Sequence, residues 1–274
     1  MKGGREMNTE FSQTLAWRSI IIWSIIQIGI AIIDSTTDVS LFVQLPWLVM
    51  LCSYLMMIIY IICCSSYRFK AFNHDLERLK DKELIWCVLL VFMTQYFISL
   101  GGYQIILSGL FYYDHTLAVE LYEEPLVNFT NEKDLWIASL TLSFIIPMFE
   151  ELLFRGVILT RLSQRFSIFW SLMLMSLFFG ILHGIDFIGA TTFGFLSGLL
   201  YLKFKNIWAP ILVHSLNNTL CCLSFVLGQD VHPPLETLNK AYISHQLQEG
   251  LILLGVGSLL LYFTLKRLKL RRLE

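Results

Sequence analysis

Long apolar runs alternate with short polar breaks along almost the whole chain. The runs cover roughly 17–33, 42–64, 85–112, 135–160, 167–186, 188–204, 207–228 and 249–266. Each has, or nearly has, the length that a hydrocarbon core of ~30 Å demands of a helix. The pattern predicts an all-α fold, a polytopic membrane bundle of about eight transmembrane helices forming a single membrane domain. Within it, 17–134 holds the first three spans and a long loop. Residues 135–228 hold spans four to seven, and 249–274 the last span and a basic tail. The run from Trp17 to Ile33 has no cleavage site after it and is expected to be retained as a span. Span four contains Pro147, which frees a backbone carbonyl and can kink a helix toward a polar cavity.

Composition agrees with this pattern. The chain has 274 residues, 56% hydrophobic and only 15% charged, where soluble domains run nearer ~25% charged. Net charge is −1, so no global field argues for nucleic acid as a partner. The placement of charge is more telling. Seventeen of the 20 lysines and arginines fall before span one, between spans two and three, after span four, at the end of span six and in the tail. Lys133 and Lys240 alone lie in the alternate loops. The bias predicts both termini in the cytoplasm, in a multi-pass protein of the cell membrane, or of an endomembrane in a eukaryote. The acidic loop 113–134 then falls outside and contains a sequon, Asn128-Phe129-Thr130. The six cysteines lie in or beside apolar runs without CxxC spacing, which suits small buried residues rather than disulfides or zinc thiolates.

Ionisable residues are the exception in these spans, and they are segregated. Spans one, two, three and eight carry none in their interiors. Spans four, five and seven carry Glu150, Glu151, Arg155, His183 and His214, with Asp186 at an edge. A charge at mid-bilayer costs at least ~2.5–3.5 kcal/mol on insertion scales, so a cluster restricted to three helices implies one polar cavity. On a helix Glu151 and Arg155 share a face four residues apart, in the favourable order for an ion pair. Glu150 sits about 100° round and has no local cation. A carboxylate in such a place can take or give a proton near neutrality. Phe179 and His183 are four apart, as are His214 and Asn218. An imidazole and a carboxamide on one face can both donate to one oxygen. Asn217 is also within helical reach of His214. In span six Ala190, Gly194 and Gly198 recur every four residues, a pattern that lets helices approach closely, and that would bring spans five and seven together.

Other chemistries lack their residues. There is no His-Glu-x-x-His, no Gly-x-Ser-x-Gly elbow, no aspartate to pair with Asp186 and no Gly-rich phosphate loop. Carboxylate plus imidazole remains, a pair able to activate water directly.

Glu150-Glu151-x-x-x-Arg155, then Phe179-x-x-x-His183, then His214-x-x-x-Asn218, in that order on successive spans, resembles the CPBP intramembrane proteases. That family includes the type II CAAX prenyl endopeptidases and the bacteriocin-processing and immunity proteins. The resemblance covers about 135–222. It implies an intramembrane glutamate-type endopeptidase, with 135–228 as its catalytic core. The expected partners are the lipid bilayer and a membrane-associated peptide or protein as substrate. By carry-over Glu150 and His183 activate the attacking water, His214 and Asn218 form the oxyanion hole, and Glu151 and Arg155 hold the site together beside Phe179. No cofactor is implied, although two histidines and a carboxylate could in principle bind zinc.

Two rival readings remain at this stage: a scaffold or immunity protein that binds without cutting, and a small transporter using Glu150 as a proton relay. The intact motifs favour the peptidase over the first. The second predicts repeat symmetry, which the chain lacks. Straight spans also pose a geometric problem. His214 would lie about 10 Å above the cytoplasmic end of span seven and His183 about 24 Å along span five.

Overall fold

The computed structural model describes residues 46–64, 74–123, 132–226 and 239–269, together with 18, 21–26, 28–29 and 32. The sequon and much of the first span lie outside the described residues. Among those described, helices and their turns account for the fold and no strand occurs. The helices are α1 (Pro46–Cys64), α2 (Lys82–Tyr113), α3 (His115–Glu123), α4 (132–162), α5 (Ile168–Ile181), α6 (Phe187–Phe204), α7 (Trp208–Val226) and α8 (Lys240–Leu268). Five stretches are long and apolar enough to cross a membrane: Trp47–Cys64, Lys82–Tyr113, Leu135–Leu162, Gly184–Phe204 and Lys240–Leu268. Helix α5 is apolar but shorter. Helix α7 carries His214, Asn217 and Asn218. The eighth span begins earlier than its apolar run, at Lys240, and the acidic loop is partly helical as α3.

One expectation needs correcting. The run 167–186 is not one straight helix. Helix α5 stops at Ile181, and its 14 residues rise only about 21 Å, short of a ~30 Å core. The chain then turns through Leu182 and His183 and makes a single 3-10 turn, Gly184–Asp186, before α6. Gly184 has φ of 56°, a left-handed conformation that glycine adopts without a Cβ clash. His183 therefore ends a short helix in a hairpin, and the depth mismatch with His214 disappears.

The small residues of α6 fit this hairpin. A Cβ added at Gly198 would lie 2.6 Å from Leu172 Cδ2, so the buried Leu172 side chain would have to shift to admit a methyl. Gly194 lies against Ser176 in the same way. The stripe thus seats α6 on α5, antiparallel, with the hairpin at one end. Phe193, on a neighbouring face of α6, packs between α5 and α7, its ring 5.5 Å from that of Phe179 and 4.9 Å from that of His214.

Helix α4 is the central element and is not regular. Its turns at Thr141–Ile145 and Leu152–Leu159 are π-helical. In the first, the Ile146 N–H donates to the Thr141 carbonyl, five residues back. Pro147 is next and has no N–H, so the Leu142 carbonyl loses its partner within the helix. From Phe149 to Leu159 the side chains are almost all buried against α1, α2, α5 and α6. Phe149 packs on Trp23 and Tyr54, with centroids 5.9 and 5.2 Å away.

One end of the bundle is tied together by side chains. Lys203 Nζ donates to Glu83 Oε1 and to the Arg267 carbonyl, each at 2.9 Å. The start of α2 and the ends of α6 and α8 therefore share one face. Asn206 Nδ2 donates to the Asp75 carbonyl there at 2.7 Å.

Candidate functional site

Glu151 and Arg155 form the predicted pair. Arg155 Nη1 donates to Glu151 Oε1 at 2.9 Å, and both side chains are fully buried. Two further supports join the pair, of which the motif offered only Phe179. Arg155 Nη2 donates to Ser197 Oγ on α6, which itself donates to the Phe193 carbonyl. The guanidinium carbon also lies 4.9 Å from the centre of the Phe179 ring and 5.0 Å from that of Phe193. A desolvated cation between two aromatic faces gains ~2 kcal/mol or more from each good contact. This environment explains how a cation resides inside an apolar core.

Glu151 does a second job. His214 Nδ1–H donates to the same Oε1 at 2.9 Å. An ionised carboxylate only accepts, so this bond fixes the proton on Nδ1 and turns Nε2 toward the other glutamate. Nε2 lies 3.9 Å from Glu150 Oε2. His183 is held by the same logic: its Nδ1–H donates to the Phe179 carbonyl at 2.7 Å, and its ring stacks on Phe179 at 4.3 Å. In the neutral form each histidine therefore keeps Nε2 as an acceptor. His214 can donate from Nε2 only as an imidazolium, a requirement that helical spacing alone did not reveal.

Glu150 differs from its neighbour. Among the described residues none hydrogen-bonds to it, whereas Glu151 accepts two bonds on Oε1; His214 Nε2 stands off at 3.9 Å. Glu150 lines a cavity of about 230 Å³ together with His183, His214, Asn217, Asn218, Asp186 and Gln95, closed by apolar residues such as Phe179 and Phe193. Every polar residue predicted for the site, apart from the buried Glu151–Arg155 pair behind it, faces this one space.

Asn218 is separated from Asn217 by its partners. Its Nδ2 donates to the Leu142 carbonyl at 2.9 Å, the group that Pro147 deprives of an N–H. One amide hydrogen stays available to the cavity. Asn217 Nδ2 donates to Asn218 Oδ1 at 3.4 Å and buttresses it. Asp186 accepts from Ser99 Oγ on α2 at 2.7 Å. Among the described residues, no three His, Cys, Asp or Glu side chains are grouped to hold a metal ion.

The fold and the site thus define a class: a multi-pass all-α membrane protein with a carboxylate–histidine cavity walled by its central helices. Comparison with known proteins narrows it. Residues 132–220 match the family described as "Type II CAAX prenyl endopeptidase Rce1-like". Over 110 residues the chain is 31% identical to "Putative membrane peptidase YdiL" of Bacillus subtilis (strain 168). That alignment spans 39% of this chain and 43% of the relative, less than half of either. No solved structure matches the chain. Together the two matches support the CPBP family, over the core residues that they cover.

Proposed function

We propose that this protein is an intramembrane endopeptidase that hydrolyses a peptide bond in a membrane-associated peptide or protein. One observation carries the reading. Glu150, unlike the Glu151–Arg155 pair behind it, accepts no hydrogen bond from any described residue, and it faces the cavity shared by His183, His214 and Asn218. A carboxylate left free beside two oriented imidazoles suits a base rather than a brace.

In this reading a water sits between Glu150 and His183. Glu150 takes one of its protons while His183 Nε2 accepts a hydrogen bond from the other, and the hydroxide attacks the carbonyl carbon. The oxyanion then forms beside the free amide hydrogen of Asn218 and Nε2 of His214, which donates as an imidazolium. The C–N bond breaks as Glu150 returns its proton to the leaving amine, which balances the step. Glu151 keeps His214 in register and Arg155 neutralises Glu151. Nothing in this sequence of steps requires a metal.

The test compares membrane peptides from cells carrying wild type and Glu150→Gln. The reading predicts a precursor that persists, and a shorter product that vanishes, in the variant. Identical peptide profiles, with the variant folded and present at equal level, would leave a binding or scaffold role.

A further inference from the structure

Helix α2 lies outside the residues matched by the family, yet it supplies one wall of the cavity through Gln95. Neighbouring hydroxyls on the helix are partnered. Thr94 shares a hydrogen bond of 2.7 Å with Thr264 on α8, and Ser99 donates to Asp186. Gln95 is 3% exposed, and no described residue is hydrogen-bonded to it; its Oε1 is buried and unpartnered. Leaving a buried amide oxygen without a partner costs on the order of 1–3 kcal/mol. Such a group persists where an occupant completes it.

The chemistry of that occupant follows from the reading above, on which this inference rests. A peptide bond inside a helix is shielded, and its N–H and C=O are paired within the helix. A segment must unwind before Glu150 reaches its carbonyl. Unwound backbone in an apolar setting then needs partners for both groups. A carboxamide offers one acceptor and one donor in the arrangement of a peptide group itself. We propose that Gln95 is a positioning residue of this cavity, pairing its carboxamide with a backbone peptide group of a substrate segment held unwound beside Glu150. The substrate class is therefore set by backbone exposure near the cut, a feature shared by any extended or helix-broken membrane peptide.

The test uses the full protein in detergent with Gln95→Leu, and with Gln104→Leu as a control. Gln104 Oε1 on the same helix is also unpartnered but does not line the cavity. The first readout needs no substrate. If Gln95 awaits an occupant, Gln95→Leu leaves the Tm unchanged or raises it. A clear fall means a structural role and overturns the proposal. The second readout is retention of uncleaved precursor by Glu150→Gln, the probe being the peptides that accumulate in cells carrying that variant. Adding Gln95→Leu should cut retention about tenfold, the value of roughly one good hydrogen bond. Adding Gln104→Leu should not change it. In an otherwise wild-type background Gln95→Leu should raise KM for the same precursor by a similar factor, with kcat changed far less. Equal retention and an unchanged KM in Gln95→Leu overturn the inference while leaving the peptidase reading intact. Absence of any Glu150-dependent product overturns both.

Discussion

At the scale of single residues, each polar group in or behind the cavity can be sorted by what already holds it. Glu151 holds two donors, Arg155 and His214, on one oxygen. Removing either end of the Glu151–Arg155 pair leaves a buried charge alone, at about 3–5 kcal/mol. Glu151→Gln and Arg155→Gln are each expected to lower the yield and Tm of folded protein. The double variant should lose less than the two singles added together. Strict additivity in a thermal-stability cycle would remove the pair from the account. Asn218 is bound on one side to the Leu142 carbonyl, so Asn218→Ala has two consequences. It orphans that carbonyl, lowering stability by about 1–3 kcal/mol. It also removes an oxyanion donor, lowering kcat by roughly 10²–10³ with KM little changed. A variant with the stability loss but full turnover per folded molecule would assign Asn218 to α4 alone. Chelation is expected to leave cleavage unchanged. Loss in chelator that zinc restores would recast Glu150, His183 and His214 as ligands.

At the scale of elements, α4 shows how a local defect builds a site. Pro147 removes one N–H, the helix widens by a π turn just before it, and the stranded carbonyl becomes the anchor for Asn218 on α7. Pro147→Ala returns the N–H. It is expected to raise or preserve Tm while reducing turnover, because α4 can regain α-helical register and rotate Glu150 away from the cavity. Unchanged turnover would show that the π turn does not aim the glutamate. Helix α8 depends on α2 at glycines: a Cβ at Gly101 would lie 2.8 Å from the Gly250 carbonyl and from Leu254 N. Backbone cannot give way as a side-chain tip can, so Gly101→Ala should lower Tm while Gly109→Ala, with open space around it, should not. Much of this was legible in advance. The charge segregation and the four-residue spacings pointed to Glu150, Glu151, Arg155, His183 and His214 because helical faces are periodic, while spacing left Asn217 and Asn218 open and only the family resemblance singled out Asn218. Hydropathy could not show that α5 stops at Ile181, since an apolar hairpin and an apolar span read alike until Gly184 turns left-handed. Ser197, Phe193 and Gln95 were missed because their partners are remote in sequence and no spacing rule connects them.

For the whole molecule, the Lys203–Glu83 contact and the Arg267 carbonyl bring three helix ends to one face, consistent with the alternation implied by the basic loops. The proposed orientation puts that face in the cytoplasm. Cysteines introduced into loop 66–83 and the tail after Lys269 should resist a membrane-impermeant label in intact cells. Labelling of either without permeabilisation would reverse the orientation. The central claim is that the free carboxylate in the cavity performs hydrolysis. Its most direct test is cleavage of the purified precursor by wild type and Glu150→Gln, at matched Tm and matched precursor binding. Glutamine keeps the shape of the side chain and cannot accept the proton of water, so the account predicts binding without product. Product formed by well-folded Glu150→Gln at the wild-type rate would contradict it.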